Sequence, residues 1–276
     1  MWCPSVSLSV WANAWLAGAA APDDVLDAVA AWAPVQAIAA HDPVAAGRAG
    51  LPYPAAEHGG AMSVLQTLRT AAGRPDRHGT PVEVVLPVPG DVRGLPPGSA
   101  FARDALDVGE ALILTGGADG EALGLVPDYP DQDPTEPVTL CWTAYSLPEP
   151  PPVPPADLGA AEFELRSAVR AAAETLGALD MAAGADADPR ALVEQFLDAT
   201  AGHRVPDHAP ARALRVLEQA AHVEAILAVS AELAPLAMHS FSQNRISEET
   251  LRPLTGVVRA ARLAALDAIL RSAWPG

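Results

Sequence analysis

The hydrophobic pattern of the chain changes near its middle. In the first half, short apolar runs with strand-like spacing alternate with helix-like stretches, whereas every later pattern has helical spacing. The change coincides with Pro-Glu-Pro-Pro-Pro-Val-Pro-Pro at 148–155, where proline removes the N–H donors that a helix or a central strand needs. We therefore predict a mixed α/β domain (1–147), an extended proline-rich linker (148–156) and a helical bundle domain (157–276).

Patterns in the N-terminal part predict alternating strands and helices. Val6, Leu8 and Val10 alternate with serines, and this period of two indicates a short strand. Aspartates at 23–27 favour the start of a helix that continues to Trp32. The other predicted elements are a strand over 35–40, a loop over 43–56, a helix over 61–72, a strand over 82–88 in which Pro87 indicates a sheet edge or a strand end, and a short helix over 101–106.

The strand signal is strongest over residues 110–146. The apolar runs 111–114 and 122–126 are separated by Thr-Gly-Gly-Ala-Asp-Gly, whose residue types suit a hairpin turn. After an acidic loop, alternate residues from Val138 to Ala144 lie on one face of a further strand. We therefore predict an antiparallel meander added to the α/β layer, in a protein of the α+β class.

Apolar stripes in the last part of the chain predict four helices. They cover 158–179, 189 to about 202, 207 to about 233, and 247 onwards with a kink at Pro253. Asp188 and Asp207 are the predicted caps of the second and third helices, and Pro235 is the predicted stop of the third. The third helix carries apolar residues on more than one face, which predicts several packing neighbours. Short connections between such helices predict a four-helix bundle.

Composition and charge argue against several classes of partner. The chain has 34 acidic and 17 basic residues, and its formal charge of −17 disfavours contact with nucleic-acid backbones or anionic membranes. Every basic residue is arginine, so a lysine Schiff base and a Walker A loop are excluded. No stretch approaches the ~18 apolar residues that a transmembrane helix needs. We expect neither a nucleic-acid nor a membrane partner.

The cysteines and the N-terminus favour a cytoplasmic protein. Cys3 and Cys141 have no metal-binding or disulfide-framework spacing, and Cys141 is predicted to be a packed thiol within a strand. Small residues at 16–21 imitate a signal-peptide cleavage site. However, no positive charge precedes the apolar run and Asn13 interrupts it, so we favour a cytoplasmic chain.

Common catalytic and cofactor motifs are missing, and two groups of residues are ligand or partner candidates. The sequence contains no GxGxxG, GxSxG or HExxH, so we expect no cofactor. His41 and Asp42 follow a predicted strand, a position where loops often hold ligands, and Arg93 belongs to a second candidate loop. Arg259 and Arg262, three residues apart on the last helix, suit an anionic ligand or an acidic partner. Pairing of these arginines with carboxylates of the same chain is the alternative.

Metal candidates are weak. Glu218 and His222 lie one turn apart on the third predicted helix and are of types that ligate zinc or iron. A di-metal site in a bundle core uses more ligands at a different spacing, so we favour an exposed surface pair and predict no bound metal. The acidic loop over 128–136 lacks the glycine and the spacing of an EF-hand, which indicates a surface loop.

Three segments resemble one family of proteins. They are Leu-Ser-Val-Trp-Ala-Asn-Ala-Trp-Leu-Ala-Gly near the start, Leu-Pro-Val-Pro-Gly-Asp-Val-Arg-Gly-Leu-Pro at 86–96, and Asp-His-Ala-Pro-Ala-Arg-Ala-Leu-Arg-Val-Leu-Glu at 207–218. Together they resemble the conserved hypothetical proteins of high-GC actinobacteria. The resemblance spans most of the chain, and it implies no activity, cofactor or site residue.

The amino-acid sequence alone leaves two functions of different class open. The first is a non-catalytic interaction or regulatory protein whose helical half binds a protein partner, a second copy of the chain being one candidate. Long apolar helices and the missing catalytic motifs favour it. The second is an enzyme or a small-ligand-binding protein with a site between the two halves, centred on His41 and on residues 90–93.

Overall fold

Five strands in the described part of the chain form one mixed sheet. They are β1 (Val35–Ala40), β2 (Val82–Val85), β3 (Ala111–Thr115), β4 (Ala122–Asp128) and β5 (Thr139–Leu147). Their order in the sheet is β1-β5-β4-β3-β2. The pairs β2–β3, β3–β4 and β4–β5 are antiparallel, and β1 is parallel to β5. The predicted meander is confirmed, and the strand preceding Pro87 lies at a sheet edge.

This computed structural model describes residues 2–54, 58–73, 80–116, 121–130, 133, 135–147, 156–178, 189–198, 202–237 and 241–274. The proline-rich segment 148–155 lies outside the described residues, as does Asp188. The helices are α1 (Pro4–Leu16), α2 (Pro22–Ala30), α3 (Pro43–Ala49), α4 (Ala61–Ala72), α5 (Ala100–Val108), α6 (Leu158–Ala178), α7 (Pro189–Asp198), α8 (Ala211–Ala237) and α9 (Phe241–Ser272). None of these helices, within the residues described, is long and apolar enough to span a membrane.

Alternate residues of the strands supply two hydrophobic layers. On one face of the sheet, Leu112, Leu125 and Trp142 pack with residues of α1, α2 and α4. On the other face, Ile113, Val126, Tyr145 and Leu147 pack with Phe101 of α5. Because side chains alternate across a strand, both layers come from the same strands, and both faces of the sheet are covered.

The segment around Val6–Val10 is a helix, so the strand predicted there is wrong. α1 begins at Pro4, a first-turn position where the missing N–H of proline costs no hydrogen bond. All residues from Pro4 to Ala14 are buried, serines included. A helix that is buried all round has no single apolar stripe, so the alternation of serine with valine and leucine has the period of a strand without forming one.

The segment 43–56 was predicted to be a loop, but its first part forms the helix α3. α3 is capped by Asp42, whose Oδ1 accepts a hydrogen bond from the Ala45 N–H at 2.8 Å, and Pro43 opens its first turn. Gly50 ends it with φ 69°, a left-handed conformation that favours glycine. The Asp-Pro start and the glycine stop are local signals that predict a short helix.

The C-terminal helices differ from prediction at several ends. α6 begins at Leu158 as predicted. α8 begins at Ala211, so Asp207 does not cap it, and it continues through Pro235 to Ala237. α9 begins at Phe241, before the predicted start, with Pro253 in its interior. Proline removes one hydrogen bond but does not end a long helix whose other bonds remain. α8 contacts α6 and α7, and a four-helix bundle stays a prediction.

The chain folds into two compact units, and the boundary between them is not simply the proline-rich linker. The sheet unit contains Trp2–Pro154, His203–His208 and Leu270–Gly276, and the helical unit contains Pro155–Gly202 and Ala209–Ile269. Two short segments from the second half of the sequence therefore belong to the unit that carries the sheet.

Candidate functional site

His41 lies at the carboxyl end of β1, beside the end of β5. The two strands are parallel, and the His41 N–H donates a hydrogen bond to the Ala144 carbonyl oxygen at 2.8 Å. The exposed His41 imidazole stacks on the Tyr145 ring, with ring centroids 4.7 Å apart and an interplanar angle of 26°. The structure thus adds an aromatic platform to the histidine that the sequence singled out.

Tyr145 is held from two sides. Its ring is buried and tilted against Phe101, with centroids 5.8 Å apart, and its hydroxyl donates a short hydrogen bond to Asp104 Oδ2. Burial, followed by the hydrogen bond to Asp104, raises the pKa of the Tyr145 phenol above its ordinary value. The phenol therefore stays protonated at neutral pH, and its hydroxyl donates to Asp104.

This group offers an aromatic surface and hydrogen-bonding groups. Of its three titratable residues, the exposed His41 presents its imidazole to solvent, whereas Tyr145 and Asp104 satisfy each other. The arrangement suits a planar or hydrogen-bonding ligand.

The remaining predicted residues of the N-terminal part have local structural partners. Asp42 caps α3 as described above. Arg93 forms a two-bond ion pair with Asp91 in its own turn, Nε to Oδ1 at 2.9 Å and Nη2 to Oδ2 at 2.7 Å. This pairing raises the pKa of Arg93 further above its ordinary value. The structure therefore gives Arg93 and His41 different partners rather than one shared site.

Arg259 and Arg262 lie on α9, and both are half-buried. Each already takes part in a hydrogen bond, an ion pair or an electrostatic interaction within the chain. Pairing of these arginines with carboxylates of the chain stays a prediction.

Glu218 and His222 are both exposed on α8, which agrees with the interpretation of a surface pair. Within the described residues, no group of three or more His, Cys, Asp or Glu side chains is arranged to hold a metal ion. Cys141 lies half-buried on β5, and burial raises the pKa of its thiol, as expected for a packed cysteine. Asp131, in the acidic loop, lies outside the described residues.

Sequence reasoning missed a cluster of tryptophans around a short C-terminal segment. The His203 ring stacks on Trp32 with centroids 4.1 Å apart and an interplanar angle of 9°, and Trp2 approaches the same ring at 6.2 Å. Trp11 Nε1 donates to the Arg204 carbonyl oxygen at 3.0 Å. Six tryptophans in a chain with few aromatic residues, four of them before residue 33, were the available signal.

These features define a mixed α/β protein with a five-stranded mixed sheet and a separate helical unit. The chain matches the Rv1486c-like protein family over both of its domains, the N-terminal domain at residues 5–158 and the C-terminal domain at 159–263. It belongs to that family, which confirms the resemblance to conserved actinobacterial proteins.

Curated relatives come from mycobacteria and match end to end. The uncharacterized protein Rv1486c of Mycobacterium tuberculosis is 57% identical over 288 residues, with 100% of both chains covered. The uncharacterized protein ML1804 of Mycobacterium leprae is 55% identical with the same coverage. The uncharacterized protein MAV321 of Mycobacterium avium is 49% identical, with 99% of both chains covered. No solved structure matches the chain.

Proposed function

We propose that this protein is a non-catalytic cytoplasmic interaction protein, with helices α6–α9 arranged as a bundle that binds a protein partner. The observation that supports this most is Phe163 on α6, whose side chain is 63% exposed. Large aromatic side chains dominate the energetics of protein interfaces, and leaving one in water forfeits the free energy of burying it.

The surroundings of Phe163 hold it in place for binding. Its neighbour Glu162 accepts a hydrogen bond from Arg212 Nε of α8 at 2.9 Å and pairs with Arg166 at 3.4 Å. Leu165, two residues along the same helix, is buried and anchors the opposite side. Because the helix is fixed before a partner arrives, binding through Phe163 loses little conformational entropy.

Exposed apolar side chains also lie on two other helices of the helical unit. Phe196 of α7 is 37% exposed and Ile226 of α8 is 44% exposed. The formal charge of −17 favours a protein over a nucleic acid as this partner.

The experiment is affinity capture from the native cytoplasm with full-length bait, followed by titration of the purified captured protein. Phe163→Ser is the test variant, and Met62→Ser is the matched control because Met62 is 69% exposed in the sheet unit. We expect Phe163→Ser to weaken binding at least about tenfold, or ~1.4 kcal/mol, and Met62→Ser to leave it unchanged. Equal affinity of the partner for the two variants would contradict the proposal.

A second candidate is small-molecule binding at the carboxyl end of β1. It is favoured by the exposed imidazole of His41 stacked on the buried ring of Tyr145. The test is a thermal-shift screen of small metabolites against the wild type and His41→Ala. A compound that raises the melting temperature of the wild type alone would favour this candidate, and a screen without such a compound would count against it.

A further inference from the structure

One face of the His41 imidazole is open to a ligand. Its other face lies on the Tyr145 ring, which is only 5% exposed, whereas His41 itself is exposed. Within the described residues, neither ring nitrogen of His41 has a hydrogen-bond partner. Because Tyr145 is buried beneath the imidazole, a molecule that approaches from solvent meets the outer face and the polar edge of His41 first.

His41 lies at a position in the sheet where ligands commonly bind. β1 and β5 are parallel, and His41 directly follows the carboxyl end of β1. Ala49 of the following helix α3 packs in the layer on one face of the sheet, whereas Phe101 of α5 packs with Tyr145 in the layer on the other face. In α/β sheets, ligands bind outside the carboxyl ends of parallel strands. The position of His41 in the fold therefore favours a ligand site.

The aromatic surface beneath His41 is fixed before any ligand arrives. The Tyr145 hydroxyl donates to Asp104 Oδ2, and the Tyr145 ring packs against Phe101 with centroids 5.8 Å apart. The backbone of His41 is fixed as well, since its N–H donates to the Ala144 carbonyl oxygen at 2.8 Å. A ligand that stacks on His41 therefore orders few side chains, and little of its binding free energy is lost to conformational entropy.

The charges around the two rings disfavour an anionic ligand. Burial is the largest cause of the raised pKa of Tyr145. Among the charged groups nearby, Asp104 and Asp128 raise this pKa further, whereas Arg103 opposes them. Negative charge therefore prevails near the ring, as it does over the whole chain with its formal charge of −17, and a phosphate group is disfavoured.

We propose that the outer face of His41 binds the ring of a nucleobase or an uncharged nucleoside, as the third member of a stack with Tyr145. Nucleobases are planar, stack on aromatic side chains that include histidine, and present hydrogen-bonding edges that can pair with an imidazole nitrogen. A nucleoside supplies this ring without the phosphate that the nearby carboxylates disfavour. This ligand class rests on the second candidate function above, small-molecule binding at the carboxyl end of β1.

The test titrates adenosine into the full-length protein and measures the dissociation constant by isothermal titration calorimetry. His41→Leu removes the aromatic face, and we expect it to weaken binding at least about tenfold, whereas His41→Phe should retain most of the affinity. His222→Leu is the matched control, since His222 is an exposed histidine of the helical unit, and it should leave binding unchanged. Adenosine monophosphate should bind more weakly than adenosine because of its phosphate.

Proton NMR reports the stack itself. The ring signals of His41, assigned by their absence from the spectrum of His41→Phe, should move upfield when adenosine is added, because the π-system of a stacked base shields the protons that face it. His41 signals that do not move while adenosine binds would show that the base lies elsewhere and would overturn the proposal.

The calorimetric results separate failure of the ligand class from failure of the site. The proposal is overturned if adenosine does not bind the wild type, or if it binds the wild type and His41→Leu equally. If another compound of the thermal-shift screen then stabilises the wild type but not His41→Ala, the site stands and only the nucleoside class is wrong. If no compound does so, the second candidate function fails as well.

Discussion

At the residue scale, charged side chains near the predicted site satisfy partners close by in the sequence. Asp42 bonds to an amide three residues away, and Arg93 pairs with a carboxylate two residues away. His41 differs, because its ring contacts Tyr145, more than a hundred residues along the chain. Short-range partners account for Asp42 and Arg93, whereas the exposed His41 ring lies against a remote side chain.

Burial on α8 leads to a prediction about stability. Leu217 is 2% exposed, whereas Glu218 and His222 are exposed. Leu217→Ala should therefore lower the free energy of unfolding by about 2–5 kcal/mol, since it removes buried methyl groups and leaves a cavity. His222→Ala should change it by no more than about 0.5 kcal/mol. Urea denaturation of the two variants measures the difference, and equal losses would show that His222 has a structural role.

The neighbouring prediction that several helices contact α8 is supported in part. α8 contacts both α6 and α7, and Leu217 is buried as expected. Val223 and Leu227 are only half-buried. A substitution at Leu227 should therefore cost less than the same substitution at Leu217.

His208 leads to a prediction about pH. Both of its ring nitrogens are buried without a hydrogen-bond partner, and burial lowers the pKa of the imidazole, with Asp207 partly opposing the shift. The unfolded chain therefore binds this proton at a higher pH than the folded chain. Stability should fall as the pH drops through the unfolded pKa of about 6.5.

The measurement is urea denaturation at pH 7.5 and at pH 5.5. The wild type should lose more stability on acidification than His208→Phe, which cannot take up the proton. Identical losses in the two proteins would show that His208 does not contribute to the pH dependence.

At the scale of elements, the two faces of the sheet differ in what covers them. α1, α2 and α4 pack on one face, and α5 packs on the other through Phe101. Gly124 of β4 lies directly opposite the Phe101 ring, and a Cβ added there would come within 2.5 Å of it. The missing side chain at 124 is what allows α5 to pack against β4.

Two glycine substitutions test this packing. Gly124→Ala should lower stability by about 1–3 kcal/mol, because the buried Phe101 ring must move to admit a methyl group. Gly47→Ala is the matched control, since Gly47 lies within α3 and no atom approaches the added Cβ within 4 Å. It should raise stability by about 0.5–1 kcal/mol through the helix preference of alanine. Thermal unfolding of both variants checks the opposite signs.

At the scale of the whole molecule, one side chain of the first helix contacts a tryptophan more than 250 residues further along the chain. The buried amide of Asn13 donates from Nδ2 to the Ser9 and Val82 carbonyl oxygens at 2.9 and 2.7 Å, and its Oδ1 accepts from Trp274 Nε1 at 3.2 Å. The N-terminal family domain ends at residue 158, so it lacks Trp274 and the segment 203–208. The sheet unit is therefore completed by residues from beyond its sequence domain.

A double-mutant cycle tests the hydrogen bond between Asn13 and Trp274. Asn13→Ala should cost about 1–3 kcal/mol, because it leaves buried partners without a hydrogen bond. Trp274→Phe removes the indole donor together with part of the ring, and the double variant should cost less than the sum of the two single variants. Denaturant unfolding of the four proteins measures the coupling, and strictly additive losses would show that the hydrogen bond contributes nothing.

The sequence by itself determined the elements that carry a clear local hydrophobic pattern. The meander, the strand at 35–40, the helix at 61–72 and the start of α6 follow from local hydrophobic periods, which record burial along a single strand or helix. Family membership was also visible in short segments. The Asp-Pro start of α3 was a local signal as well, although the prediction made it a loop.

Only the tertiary structure decided the features that join distant segments. α1 is buried on all sides, so its own pattern does not reveal a helix. The contacts of His41 with Tyr145, Trp11 with Arg204 and Asn13 with Trp274 link residues that lie about 100 to 260 positions apart. A local pattern records how much of a side chain is buried but not which remote side chain meets it, because that pairing depends on how the whole chain packs.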